Sequence, residues 1–227
     1  MCNGSVCPAP KPFGKKVKVL FVSADPVDQK GVKWEDVLDT INKTLTVQLS
    51  ACVSIKVIEG ATRQKVMAAI RAERFDVFHF FGHGDVRAGV GHLVLQDVTT
   101  RLSDFLSASD LAIAFAGTGV RLALLSACLS GAGQFSDDFG VLATALISTG
   151  IPAVVANQYP IPYKSISPFV ASLYDSLFRD GDIDAAVAEG RAALAVTLNK
   201  ATGRDAVVEW GIPTLYRLAN ARQLFAP

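Results

Sequence analysis

Histidine and cysteine are scarce in this chain, three and four among 227 residues. That scarcity confines nucleophile and base chemistry of the thiol–imidazole kind to His79, His83, His92, Cys2, Cys7, Cys52 and Cys128. No Cys-x-x-Cys occurs, and the scattered spacing of the cysteines makes no zinc site. No metal or cofactor is expected. Cys2 and Cys7 stand in a proline-bearing tail where a disulfide has little to hold, and they and Cys52 read as free thiols. A surplus of basic charge is also missing. Lys+Arg is 22 against 21 Asp+Glu, a net charge of +1, and no basic run exceeds Lys15-Lys16-Val17-Lys18. Obligate binding to nucleic acid, which needs a cationic face to neutralise phosphates, is therefore excluded. No long uncharged apolar stretch exists, so neither a membrane span nor a membrane partner is expected. Residues 1–16 lack the apolar segment of a signal peptide, which makes the cytoplasm, with its reduced thiols, the expected compartment. No Gly-x-Gly-x-x-Gly or Walker sequence follows the first strand, which argues against nucleotide binding.

What is present is apolar sequence in short runs. Half of the residues are hydrophobic and 19% are charged, the balance of a folded domain rather than a solvated chain. Residues 1–14 read as a flexible leader and 15–227 as one domain. Val17-Lys18-Val19-Leu20-Phe21-Val22, residues 53–58, 76–81, 121–126 and 153–156 read as strands. Gly82-His83-Gly84 is expected to end the third of these abruptly, with a hairpin over 85–97 turning at Gly89 and Gly91. Helical spacing predicts helices over 34–49, 62–74 with Thr62 as N-cap, 102–116 in one or two pieces, 139–148, 165–179 and 182–199, with Gly181 between the last two. A terminal extended segment covers 210–218. Strands alternating with helices, and strands apolar without alternation, predict an α/β fold: a mostly parallel sheet with helices on both faces.

Ligands of such sheets bind beyond the carboxyl ends of the strands. Two strand ends carry reactive side chains, Phe81-Gly82-His83-Gly84 and Leu125-Ser126-Ala127-Cys128. A lone cysteine ending a buried strand packs as a small hydrophobe, and a lone histidine beside glycine is a turn residue. The pair differs: on neighbouring strands an imidazole and a thiol face each other. The imidazole takes the thiol proton and later returns it to a leaving amine. Gly84 and Cys128 supply backbone N–H groups for an oxyanion hole, each donor contributing roughly 3–4 kcal/mol. His79 alternates with Phe80 inside a strand and reads as a hydrogen-bonded core histidine. His92 is expected in solvent.

These motifs resemble those of the CHAT domain, a caspase-like peptidase domain often fused to tetratricopeptide repeats in bacterial proteins. The similarity runs from Lys15 to Leu218 and is carried by Val19-Leu20-Phe21-Val22-Ser23-Ala24-Asp25-Pro26, Phe78-His79-Phe80-Phe81-Gly82-His83-Gly84, Leu124-Leu125-Ser126-Ala127-Cys128-Leu129-Ser130, the segment from Phe169 to Leu177, and Trp210-Gly211-Ile212-Pro213. His83 precedes Cys128 by 45 residues, against about 50 in the caspase signature, whose Gln is replaced here by Ser126. The resemblance implies a cysteine endopeptidase with a His83–Cys128 dyad, a thioester intermediate, a protein substrate, and control by a regulatory protein or fused sensor domain. Residues 129–138, rich in Gly, Ser and Asp, correspond to a loop that rearranges on activation. Asn157, Gln158, Tyr159, Asp97 and Asp137 are the candidates for the substrate pocket; an aspartate there favours a basic residue before the cut, and without one an apolar residue fits as well. The alternative is an inactive caspase-like scaffold that binds partners.

Overall fold

Strands apolar on both faces need cover on both faces, and the structure supplies it. The computed structural model describes residues 11–12, 16–48, 52–129, 138–159, 161, 163–201 and 209–226. In chain order these form β1 (Lys11–Pro12), β2 (Val17–Ser23), α1 (Trp34–Gln48), β3 (Val53–Ile58), α2 (Arg63–Ala72), β4 (Val77–Arg87), β5 (Val90–Gln96), β6 (Ser103–Ser107), α3 (Ala108–Phe115), β7 (Leu122–Leu129), α4 (Asp138–Ser148), β8 (Ala153–Asn157), α5 (Tyr163–Asp180), α6 (Ile183–Ala201), β9 (Pro213–Arg217) and β10 (Phe225–Ala226). The main sheet has the order β3-β2-β4-β7-β8-β9, and β5 and β6 extend from β4 as an antiparallel hairpin. β3, β2, β4, β7 and β8 are parallel, and β9 closes the edge antiparallel to β8.

Strand alternation sorts the core into two halves. Val19, Phe21, Val77, Phe81, Leu122 and Leu124 pack against Val37 and Ile41 of α1, Phe169, Leu173 and Tyr174 of α5 and Val187 of α6. Leu20, Val22, Phe78, Phe80, Ala123 and Leu125 pack on the other face against Val66 of α2, Leu111 and Phe115 of α3 and Leu142 and Leu146 of α4. The α/β architecture read from the pattern is therefore the one observed. Thr62 caps α2 as expected, accepting a hydrogen bond from the Lys65 N–H.

Three expectations need correction. β4 does not stop at Gly82-His83-Gly84 but runs on to Arg87, because β7 continues beside it on one side and β5 takes over from β2 on the other. Gly82 is there for room rather than for a turn: a Cβ would lie 3.1 Å from the Ala24 carbonyl oxygen and 2.9 Å from Phe80 Cζ. The hairpin turns at Ala88 and Gly89, both at positive φ (52° and 73°), while Gly91 is inside β5. Residues 102–116 are not helical throughout. Ser103–Ser107 is a strand paired with β5, and Ser107 caps a helix that begins only at Ala108. Of the segment 1–14 read as a leader, Lys11 and Pro12 pair in parallel with Phe225 and Ala226, and the rest lies outside the described residues.

Gly181 ends α5 at φ +75°, and a Cβ there would overlap the Phe225 carbonyl oxygen and come within 2.6 Å of Gln223 Nε2. Its own carbonyl accepts the Leu224 N–H at 2.9 Å, which docks the C-terminal segment. Gly181→Ala is expected to lower unfolding stability by about 2–4 kcal/mol, since the left-handed penalty of roughly 1–2 kcal/mol adds to displacement of β10. Gly117 has φ +72° with open space around it, so Gly117→Ala isolates the backbone penalty alone. Urea unfolding of the two variants checks this; equal losses would contradict it.

Candidate active site

The winding of the sheet reverses between β2 and β4. β3 lies to one side of β2, whereas β7 and β8 lie beyond β4. The loop after β2, residues 24–33, and the carboxyl half of β4 therefore meet at the point where such sheets form ligand crevices. His83 stands there. Its register partner on β7 is Cys128, as Gly84 is partnered by Leu129. Backbones of paired strands run about 4.8 Å apart, so the two positions are adjacent. The Cys128 side chain, the loop 130–137 and with it Asp137 lie outside the described residues.

His83 is 6% exposed, and its Nε2 is 2.7 Å from the Lys30 carbonyl oxygen. A carbonyl only accepts, so Nε2 carries the proton and donates it to Lys30. In the neutral ring Nδ1 is then the lone-pair nitrogen. Nδ1 is buried and meets no partner among the described residues. The ring is thus held by one nitrogen and left basic at the other.

His79 shares the strand and its face but not this freedom. It is fully buried, with Nε2 3.1 Å from Ser126 Oγ and Nδ1 2.9 Å from the Tyr174 hydroxyl. The Phe21 ring meets its edge at 4.8 Å. Burial pushes its pKa down to about 3 and raises that of the Tyr174 phenol, so both stay neutral. It ties β4 to β7 and α5, the core histidine that strand alternation predicts. His92 differs from expectation: it is half-buried, with Nδ1 2.8 Å from the Val90 carbonyl and its ring against Phe105.

Gly84 is a strand residue, in register with Leu93 on one side and Leu129 on the other. Its N–H lies in the sheet plane and faces a neighbouring strand. Among the pocket candidates, Asn157 is buried at the carboxyl end of β8, and its Nδ2 has no partner among the described residues. Gln158 follows it, its N–H bonded to the Ile212 carbonyl and its side chain reaching the Tyr216 hydroxyl. Tyr159 is exposed. Asp97 does not join them. It sits between β5 and β6, on the far side of β4 from β8, where Oδ1 accepts bonds from Thr99 N–H, Thr100 N–H and the Thr100 hydroxyl. Those bonds, the Thr100 N–H first, hold its carboxyl below the usual range. Its carboxylate serves the turn. The Lys30 carbonyl, the group that orients His83, was missed from sequence because a backbone acceptor leaves no mark on residue type.

Among the described residues, no group of three or more His, Cys, Asp or Glu could hold a metal ion, and no helix is long and apolar enough to cross a membrane.

The family model of the CHAT domain matches residues 22–217. No curated protein matches the sequence. Among solved structures, the chain is similar to the Arg-specific cysteine proteinase gingipain R, with a TM-score of 0.59 and 14% identity over 92% of this chain and 47% of that one. It spans about half of the gingipain chain. It is also similar to pro-sf-caspase-1, with a TM-score of 0.55 and 15% identity over 89% of this chain and 91% of the other. A secreted C11 cysteine protease from Bacteroides thetaiotaomicron, in complex with an irreversible peptide inhibitor, gives a TM-score of 0.57 and 12% identity over 89% of this chain and 66% of that one. The shared feature is the caspase-like α/β fold.

Proposed function

The chain belongs to the CHAT domain family, and from that premise we propose that it is a cysteine endopeptidase in which Cys128 is the nucleophile and His83 the general base. One observation supports this most: His83 and Cys128 are in register on adjacent parallel strands, and the second ring nitrogen of His83 has no partner among the described residues. In the proposed reaction Nδ1 takes the Cys128 proton and the thiolate attacks the carbonyl carbon of the scissile peptide. The imidazolium then gives that proton to the leaving amine as the C–N bond breaks, which leaves a thioester. Water, deprotonated by the same Nδ1, hydrolyses the thioester and restores the thiol. Throughout, the Lys30 carbonyl accepts the hydrogen bond from Nε2–H and stabilises the charged ring.

The oxyanion forms beside the amides of Cys128 and Gly84. Gly84 lies between two paired strands, so it becomes a donor only where its pairing with a neighbour gives way. The residue before the cut enters beside Asn157 and Gln158, next to the end of β7, and the buried amide nitrogen of Asn157 gives that space a hydrogen-bond donor.

A peptidyl acyloxymethyl ketone tests the reading. It is expected to modify the parent protein once, with the adduct on the Cys128 peptide by mass spectrometry, and to leave Cys128→Ala unmodified. Labelling of Cys52 in preference to Cys128, or peptide cleavage by Cys128→Ala at the parent rate, would overturn it.

A further inference from the structure

The carbonyl that orients His83 belongs to a loop, and a loop carbonyl stays on target only if the loop is held. Residues 24–33 are held by β5, β6 and the turn between them. The Gln96 Nε2 donates to the Asp25 carbonyl at 2.7 Å, and the Val27 N–H donates to the Arg101 carbonyl at 3.1 Å. Asp28 Oδ1 accepts both the N–H and the hydroxyl of Ser103 at 2.9 Å, and Gln29 Nε2 donates to that hydroxyl at 3.1 Å. Within the loop, Asp25 Oδ1 accepts the Val32 N–H at 3.2 Å, so the braced side and the far side of Lys30 are joined. Gln96 is 5% exposed and ends the strand whose Val94 is in register with His83. One hairpin therefore fixes both the backbone of His83 and the carbonyl that its ring addresses.

We infer that Gln96 and the Asp28–Ser103 pair are positioning residues for His83: through the 24–33 loop they keep the Lys30 carbonyl on Nε2, and so keep Nδ1 free of a proton. The catalytic meaning of this rests on the peptidase reading above; the ring tautomer does not. A buried polar Gln96 side chain spent on a loop carbonyl is otherwise an odd choice at the end of an apolar strand, where Leu93, Val94 and Leu95 pack into the core.

The tautomer is read by nitrogen-15 NMR of the imidazole rings in the full chain carrying Cys128→Ala, where no turnover is needed. His83 is expected in the Nε2–H form. Gln96→Met, similar in size but without the amide, and Ser103→Ala are each expected to raise the Nδ1–H population about fivefold or more, the effect of weakening one hydrogen bond. Ser103→Thr, which keeps the hydroxyl, should retain the parent spectrum. In chains with Cys128 intact, the same Met and Ala variants should lose about tenfold or more in kcat/KM, chiefly in kcat. Should Gln96→Met fail to fold, Ser103→Ala against Ser103→Thr decides. A parent ring in the Nδ1–H form, or an unchanged tautomer in the folded variants, would overturn the inference. If the parent cleaves no peptide, the peptidase reading fails while the NMR result still stands on its own.

Discussion

His83→Ala is expected to slow peptide cleavage by about a thousandfold while leaving the protein folded. At neutral pH a free thiol is mostly protonated, because its pKa lies near 8.5. General-base help from a positioned imidazole contributes typically 10²–10⁴-fold. Of the two buried strand histidines, His79 has both nitrogens in hydrogen bonds, whereas among the described residues His83 bonds through Nε2 alone. The loss should fall on kcat, and alkylation of Cys128 by iodoacetamide at pH 7 should slow in parallel, since both need the thiolate. Initial rates on a peptide cleaved by the parent, with circular dichroism to check folding, supply the measurement. A variant within a few-fold of the parent rate would remove His83 from the reaction and favour the scaffold alternative.

Acid should destabilise this protein through His79, which is expected to cost about 5 kcal/mol of folding stability in full. The unfolded imidazole titrates near 6.5 and the folded one is pushed down to about 3 by burial. Because the folded-state pKa is depressed, the contribution is fully present above pH 6.5. It is lost as pH falls from 6.5 to 3, where the unfolded chain binds a proton that the folded one refuses. The slope is about 1.4 kcal/mol per pH unit, large against a total of 5–15 kcal/mol for a typical domain. His79→Gln should flatten that slope between pH 6.5 and 4.5. At pH 7.5 it should cost about 1–3 kcal/mol, because the buried hydroxyls of Ser126 and Tyr174 lose their partner. Carboxylates held low by cations, such as Glu73 by Lys18 and Asp110 by Arg63, add their own dependence further into acid. The difference between parent and variant isolates the histidine. Urea unfolding at pH 7.5, 6.5, 5.5 and 4.5 measures it, and parallel curves for the two proteins would refute the assignment.

The two histidines also show how far pattern reaches. Alternation within Phe78-His79-Phe80-Phe81 is enough to bury His79, whereas pairing His83 with Cys128 also needs β4 and β7 to be neighbours, which the sheet topology provides. The strands at 17–22 and 153–156 were readable because β-branched and apolar runs have few alternatives once both faces are covered, and 53–58 because Val53, Ile55 and Val57 alternate with Ser54 and Lys56 at an edge. Glycine misled at 82 and 84, where it signals a turn in isolation. Pairing with β5 and β7 holds the backbone extended instead, and the missing Cβ admits the Ala24 carbonyl. Ser103-Asp104-Phe105-Leu106-Ser107 has too little apolar pattern to declare itself, and it is a strand because β5 offers it a ladder. Asp97 looked like a pocket carboxylate because residue type carries no information about which turn will consume it.

Local chemistry thus dictated most of the secondary elements, the Thr62 cap and the two-sided cover of the sheet, because each depends on neighbours a few residues away. The fold alone decided which nitrogen of His83 is basic, that a carbonyl from 53 residues upstream holds it, and that a hairpin far along the chain steadies that carbonyl. Those contacts end on backbone carbonyls distant in sequence from the side chains that reach them. Every residue owns such groups, so only their arrangement in space can distinguish one from another.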